Sequence, residues 1–303
     1  MRGLNPRQIE AFLLTGGVGA AATLINVTQP AVSRLIRDLQ HHLGLTLFER
    51  RGTGLIPTSE ALSLYAEVER AFVGLERIAE TATELRTRRA GYLRIAALPA
   101  LANGFLPRFV GHFLAERPKL NIVLSGLVSH AVVTAVAQGQ CDLGFAESSI
   151  EHAAVQLERM PTAPYVAVLP QGHRLARKTK LKPEDFDGES FISLGPSTVS
   201  RFRIDRLFAE RGVERIMRIE TPLSEIACAL AGSGVGVALC EPFTATEYAT
   251  RGIVARPFEP RIDFEYSALY AAHRTVPPVA RKFIDGFRAH VTAFLRHRRS
   301  TRT

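Results

Sequence analysis

Gln29, Ser33 and Arg37 recur at steps of four, with Pro30 and Arg34 beside them, so on a helix these five side chains share one face. A glutamine matches the major-groove edge of adenine, an arginine matches that of guanine with two parallel donors, and a serine hydroxyl reaches a base edge or a phosphate. The chemistry on offer is recognition of double-stranded DNA. The other face carries Val32, Leu35, Ile36, Leu39 and Leu43, which gives the helix something to pack against. Taken alone, the polar face of such a helix reads as a solvated surface. Its setting decides otherwise.

Residues 7–14 place Ile9, Phe12 and Leu13 at helical spacing before the Gly16-Gly17 pair, and residues 20–25 make a second short helix. Asn26, Val27 and Thr28 then form a tight turn. Thr28 suits the N-cap of the helix opened by Gln29, since its hydroxyl can accept a backbone N–H, and Pro30 in the first turn has no donor to lose. Gly44 ends the helix. Two helices joined by a short turn, the second capped, make a helix-turn-helix. Residues 46–57 alternate apolar and polar side chains around Arg51-Gly52-Thr53-Gly54 and read as a hairpin, or wing. Residues 59–89 follow as one helix without proline, in which Ala61, Tyr65, Val68, Phe72, Leu75, Ala79 and Ala82 recur at alternating steps of four and three. That stripe is a coiled-coil seam, on a helix about 45 Å long, and it predicts pairing with a second copy of the chain.

Past Gly91 the pattern changes to alternating strands and helices. Strands are expected at 92–97, 121–127, 143–146, 165–169, 190–194, 217–221, 235–239 and 266–271, and helices at 101–117, 129–138, 197–210, 224–231 and 278–297. This is an α/β arrangement long enough for two similar lobes, with the last strand and helix returning to the first. The whole chain of 303 residues, 46% hydrophobic, is therefore α+β overall. Its three parts are a winged helix-turn-helix over 1–58, a linker and dimerisation helix over 59–90, and a two-lobed domain over 91–303. Lobe 1 is expected at about 91–162 and 267–303, and lobe 2 at about 163–266.

The net charge of +9 points only weakly to a polyanion. Residues 271–303 hold eight Arg or Lys against one Asp, whereas residues 1–58 hold six Arg against three acids. The three cysteines lie far apart with no C-x-x-C pair and read as buried apolar residues. The nine histidines show no ligand spacing, and no metal or cofactor is expected. No G-x-S-x-G occurs. Gly232-Ser233-Gly234-Val235-Gly236 precedes a strand instead of following one, so it reads as a helix-to-strand turn and not as a phosphate loop. No apolar run approaches a membrane span, and the start MRGLNPRQIE has no signal core, so a cytoplasmic protein is expected.

The stretch from Ala21-Ala22 through Val27-Thr28-Gln29-Pro30-Ala31-Val32-Ser33-Arg34, with Ile36, Leu39, Leu43-Gly44, Leu47-Phe48-Glu49-Arg50 and Pro57-Thr58-Ser59-Glu60-Ala61, resembles the signature of LysR-type transcriptional regulators. The likeness is specific over residues 7–61 and looser beyond. Between Phe12 and Ala21 the chain is about three residues shorter than the family pattern, nearly one helical turn. The resemblance implies that Gln29, Pro30, Ser33 and Arg34 lie at base edges. Arg50 and Thr53 of the wing and Thr58 at the linker start would approach the DNA backbone or minor groove. Thr28 and Arg37 complete the expected contacts.

It also implies that residues 91–303 form an effector domain similar in layout to periplasmic solute-binding proteins, two lobes hinged near Thr162-Ala163 and Tyr266-Ser267 around a cleft. Ligands in such folds sit beyond the carboxyl ends of strands, at helix N-termini. Pro99 and Ala100 after the first strand, Ser129 as the cap of the next helix, and Pro196, Ser197, Ser200 and Arg203 around the following cap would hold a small-molecule effector, a carboxylate or amino-acid-like compound. Each serine taken alone reads as an ordinary cap. Gly195 to Arg201 and Glu241 to Ala245 look like the subgroup responsive to opines and basic amino acids. Asp142, Glu147, Asp205 and Glu241 are candidates to meet a ligand amine. The family reading further implies a homodimer or homotetramer and RNA polymerase as a partner. Two alternatives are a solute-binding protein, which would need a secretion signal, and an enzyme acting on a small organic acid, which would need a catalytic constellation the sequence does not display.

Overall fold

The computed structural model describes residues 22–23, 27–51, 54–65, 91–150, 152–196 and 198–300. The chain divides into two units, Met1–Arg88 and Arg89–Thr303.

In the first unit, helix α1 (Gln29–Leu43) starts after Thr28, has proline in its first turn, and stops at Gly44 in the left-handed conformation at φ 65°, where the Gly44 N–H donates to the Gln40 carbonyl. Strands β1 (Phe48–Arg51) and β2 (Gly54–Pro57) pair antiparallel, Phe48 opposite Pro57. A helix opens at residue 59. Val32, Leu47, Phe48, Ala61 and Ala22 form a small core against which Ile36, Leu39, Leu43, Leu55 and Leu64 pack. The expected helices at 7–14 and 20–25 lie outside the described residues except for helical Ala22 and Thr23. The seam from Val68 to Ala82 also lies outside them.

The second unit holds two five-stranded sheets of the same plan. Lobe 1 contains β3 (Tyr92–Ala97), β4 (Asn121–Gly126), β5 (Leu143–Glu147), β6 (Val155–Arg159) and β14 (Tyr266–Ala271), in the order β4-β3-β5-β14-β6. Lobe 2 contains β8 (Val166–Pro170), β9 (Ser190–Leu194), β10 (Ile216–Thr221), β11 (Val237–Cys240) and β12 (Ile253–Pro257), in the order β10-β9-β11-β8-β12. In each sheet four strands run in the same direction, and the one antiparallel strand is the one that arrives from the other lobe. The strands read as near-continuous apolar runs because both faces are covered. Val166 to Leu169 are all fully buried.

At the crossing between lobes, β7 (Ala163–Pro164) and β13 (Asp263–Phe264) pair antiparallel, Phe264 opposite Ala163. The last helix, α8 (Pro278–Ser300), returns to lobe 1. It buries Ala280, Phe283, Ile284, Phe287 and Val291 at helical spacing, with Phe283 and Phe287 against Phe109 and Phe145.

The structure departs from the sequence pattern at several places, among them the following. The helix expected over 101–117 is two, α2 (Pro99–Ala102) and α3 (Phe105–Ala115), broken at Asn103-Gly104, where a Cβ on Gly104 would meet the Glu247 side chain. Strands β6 and β12 are additional to those expected. Both are sheet edges, and neither carries the all-apolar run of a central strand. Cys228 and Cys240 are buried as expected, whereas Cys141 is only half-buried. The turn at residues 232–236 agrees with the pattern: Gly234 sits at φ 83°, and Gly236 lies so close to the Ser190 carbonyl that no side chain fits. Among the described residues no helix is long and apolar enough to cross a membrane.

Candidate functional site

The α1 residues expected to contact DNA lie on its solvent side. Val32 is buried, while Thr28, Gln29, Pro30, Arg34 and Arg37 are exposed and Ser33 is half-exposed. Arg34 approaches Asp38 at 3.8 Å, one turn along, with both side chains largely in solvent. An exposed pair of this kind is worth little and does not commit the guanidinium. Thr28 is the N-cap of α1 as expected, but its hydroxyl makes no capping bond. Its carbonyl accepts the Val32 N–H, and in an exposed first turn water can serve the remaining donors. Thr58 is engaged within the unit. Its hydroxyl donates to the Thr46 carbonyl at 2.9 Å and accepts the Ala61 N–H at 3.2 Å, tying the wing to the following helix. Arg50 stands on β1, paired with Leu55; Thr53 lies outside the described residues. Gln40 is a supporting residue that the sequence pattern does not single out. Its side-chain oxygen accepts the N–H groups of Leu47 and Phe48 at 2.8 and 3.0 Å, so one residue of α1 fixes the loop leading to the wing. Glutamine on the flank of an amphipathic helix gives no signal of such a contact.

The second site is a cavity of about 470 Å³ between the lobes. It opens at the carboxyl ends of parallel strands: Leu98, Pro99 and Ala100 follow β3, Val128, Ser129 and His130 follow β4, Glu147 ends β5, and Leu194 ends β9. Thr198, Pro222, Leu223 and Ser224 close the lobe-2 side, with Tyr165 and Phe264 at the crossing. Ser129 does not cap its helix, α4 (Ser129–Ala137); the N-cap is Val128. Its hydroxyl oxygen instead accepts the Glu147 N–H at 3.3 Å, which leaves the hydroxyl proton to donate into the cavity. The cap of α5 (Val199–Glu210) is Thr198, whose hydroxyl accepts the Arg201 N–H and donates to the Gly195 carbonyl.

Of the other expected effector contacts, Ser197 lies outside the described residues, and Pro196, Ser200 and Arg203 do not line the cavity. Ser200 is buried, and its hydroxyl interacts with that of Tyr165. Arg203 pairs with Glu265 at 3.1 Å.

The four candidate carboxylates separate cleanly. Asp142 accepts the Arg94 N–H at 2.9 Å, and Asp205 is paired with Arg201 and Arg215. Glu241 is buried at 1% exposure at the start of α7 (Pro242–Glu247), where it accepts the Thr244 N–H. Glu147 alone of the four lines the cavity. Burial raises its pKa above the ordinary carboxylate value, and the charges of His130 and Arg203 pull the other way.

Glu241 supports a pH prediction. Burial pushes its pKa up to about 7, against hydrogen bonds from Thr244 and from Ser224, which is the first residue of α6 (Ser224–Gly232). In the unfolded chain it ionises in the usual carboxylate range, so the folded state holds an extra proton between that range and about 7. Its stabilising contribution is complete at acid pH and is lost as the pH rises through that window. Glu241→Gln keeps an acceptor and removes the titration, and should stand about 2 to 3 kcal/mol better relative to wild type at pH 8 than at pH 5. Urea denaturation at both pH values measures this; parallel profiles for the two proteins would refute it.

Against known proteins, residues 7–62 match the family described as "Bacterial regulatory helix-turn-helix protein, lysR family", and residues 86–292 match "LysR substrate binding domain". The chain is 42% identical over 287 residues to the octopine catabolism/uptake operon regulatory protein OccR of Rhizobium meliloti, covering 94% of this chain and 95% of that one. It is 36% identical over 283 residues to the regulatory protein NocR of Agrobacterium tumefaciens strain T37, covering 92% and 94%. It is also 36% identical over 298 residues to the transcriptional activator protein LysR of Escherichia coli K12, covering 97% and 94%. Among solved structures, full-length CbnR bound to its target DNA aligns with a TM-score of 0.77 at 19% identity, covering 94% of this chain and 99% of that one. At that identity it shows the shared fold.

Proposed function

The chain belongs to the LysR family of transcriptional regulators and is an effector-controlled DNA-binding regulator, and from that premise we propose that its effector carries both a carboxylate and a cationic nitrogen, as opines and basic amino acids do. The observation that carries this reading is the pairing of Glu147 with Ser129 in one cavity, a half-desolvated carboxylate joined through its own N–H to a hydroxyl whose proton is free to donate. A carboxylate-only ligand would meet Glu147 as a like charge, which costs affinity. The name of the Rhizobium meliloti relative joins that protein to octopine, a compound with a guanidinium and two carboxylates. The cleft serves binding and not catalysis, and the protein acts in the cytoplasm as a homo-oligomer on DNA together with RNA polymerase.

Calorimetric titration with octopine, arginine and succinate tests the ligand class. Octopine or arginine should bind and succinate should not; succinate binding as tightly as either would sink the reading. On the DNA side, Gln29, Pro30, Ser33, Arg34 and Arg37 face the bases, with Arg50, Thr53 and Thr58 near the backbone. Arg34→Ala should lose about 1 to 3 kcal/mol of operator binding while salt-sensitive binding to unrelated DNA persists. A gel shift on the DNA upstream of the gene decides, and unchanged operator preference would remove Arg34 from the reading set.

A further inference from the structure

A second cavity, of about 700 Å³, opens away from the effector cleft, where β12 meets the segment at residues 177–180 and the end of α8. Arg177, Lys178, Lys180, Arg256 and Arg298 line it, and Glu259 is the acidic residue among them. Five cations around one concavity repel one another, and that repulsion is relieved when an anion enters.

The frame beneath these side chains is fixed. Arg256 donates from Nε to the carbonyls of Ala176 and Lys178 at 3.1 and 3.0 Å and from Nη2 to that of Ala176 at 2.9 Å. The same segment bridges to the strand end through Leu181 N–H to the Pro257 carbonyl and Glu259 N–H to the Leu181 carbonyl, both at about their ideal length. Leu181 and Phe258 anchor it from below, buried at 0% and 4% exposure. The three cations of the segment are thus held on a pinned backbone, which lowers the ordering cost of binding.

The charges are only partly answered from within. Lys178 pairs with Asp185, which does not line the cavity, and Lys180 meets Glu259 at 3.0 Å with both side chains about half exposed. Arg177 is exposed and has no ion pair among the described residues. Arg298 reaches the Thr246 hydroxyl at 2.7 Å from the end of α8.

We propose that this cavity is a second ligand site, separate from the effector cleft, which takes a small anion carrying two or more phosphate groups. Guanidinium forks match phosphate oxygens bidentately, and the spread of cations around a cavity of this size exceeds what one monoanion can neutralise. A ligand held by Arg298 and by Lys180 spans the helix anchored on lobe 1 and the outer edge of lobe 2.

The test uses the full-length protein, inorganic pyrophosphate as probe, and sodium chloride at matched ionic strength as control. Calorimetry should show saturable pyrophosphate binding beyond the control. Arg177→Ala combined with Lys180→Ala, both at exposed positions, should weaken it at least tenfold while leaving the thermal midpoint in the absence of the anion unchanged. Binding that persists undiminished in the double variant lies elsewhere and overturns the proposal, as does wild-type heat no greater than the chloride control. Loss of operator affinity in the double variant with pyrophosphate binding unaltered would assign the patch to DNA and likewise overturn it.

Discussion

Glu147→Gln should reduce affinity for a cationic effector such as arginine or octopine by about thirtyfold or more, since truncating one side of a desolvated charge pair costs roughly 2 kcal/mol upwards. The substitution keeps the side chain's size and its backbone bond to Ser129, and it removes the charge. Affinity should also depend on pH in the wild type. Burial raises the Glu147 pKa, so the ionised form that receives a cation is lost earlier on acidification than an exposed carboxylate would be. Affinity therefore falls as the pH drops through the raised value, and the variant should show no such fall. Titration calorimetry across pH measures both effects. Wild-type affinity in the variant would mean that the cation sits elsewhere in the cleft.

Phe105→Ala should lower stability by about 3 to 5 kcal/mol, the usual cost of emptying an aromatic site in a core that cannot collapse. Phe105 is 1% exposed and stands at a junction. Its ring lies 4.7 Å from Phe243 on α7, 4.8 Å from Phe294 and 6.0 Å from Phe287 on α8. Removing it therefore loosens lobe 1 and its contact with lobe 2 together. Urea denaturation gives the loss directly. A change below about 1 kcal/mol would show that the neighbouring rings close the gap.

The exposed polar face of α1 is legible in the sequence because its signal is local: a 3.6-residue period, a turn, a proline and a terminal glycine each act within a few residues. The two-lobed plan is legible from the alternation of strands and helices. Contacts made across long separations are not. Ser129 resembles a cap in sequence, yet its oxygen serves a backbone N–H eighteen residues away. Glu241 is a glutamate like Glu147, and only their different tertiary surroundings make one a buried cap and the other a wall of the cavity. At the break at Asn103-Gly104, the glycine leaves room for the Glu247 side chain contributed by the other lobe.

The side-by-side pairing of Ala163 with Phe264 makes lobe 2 one unbroken stretch of chain whose two ends are neighbours. Topologically it is an insertion within lobe 1, with entrance and exit through a single doorway. Segments with adjacent ends are the ones that can be transplanted, exchanged or replaced without threading the host chain. The β7–β13 seam is accordingly the place at which to graft a reporter module or swap in another lobe 2, leaving the parallel strands of both sheets uncut.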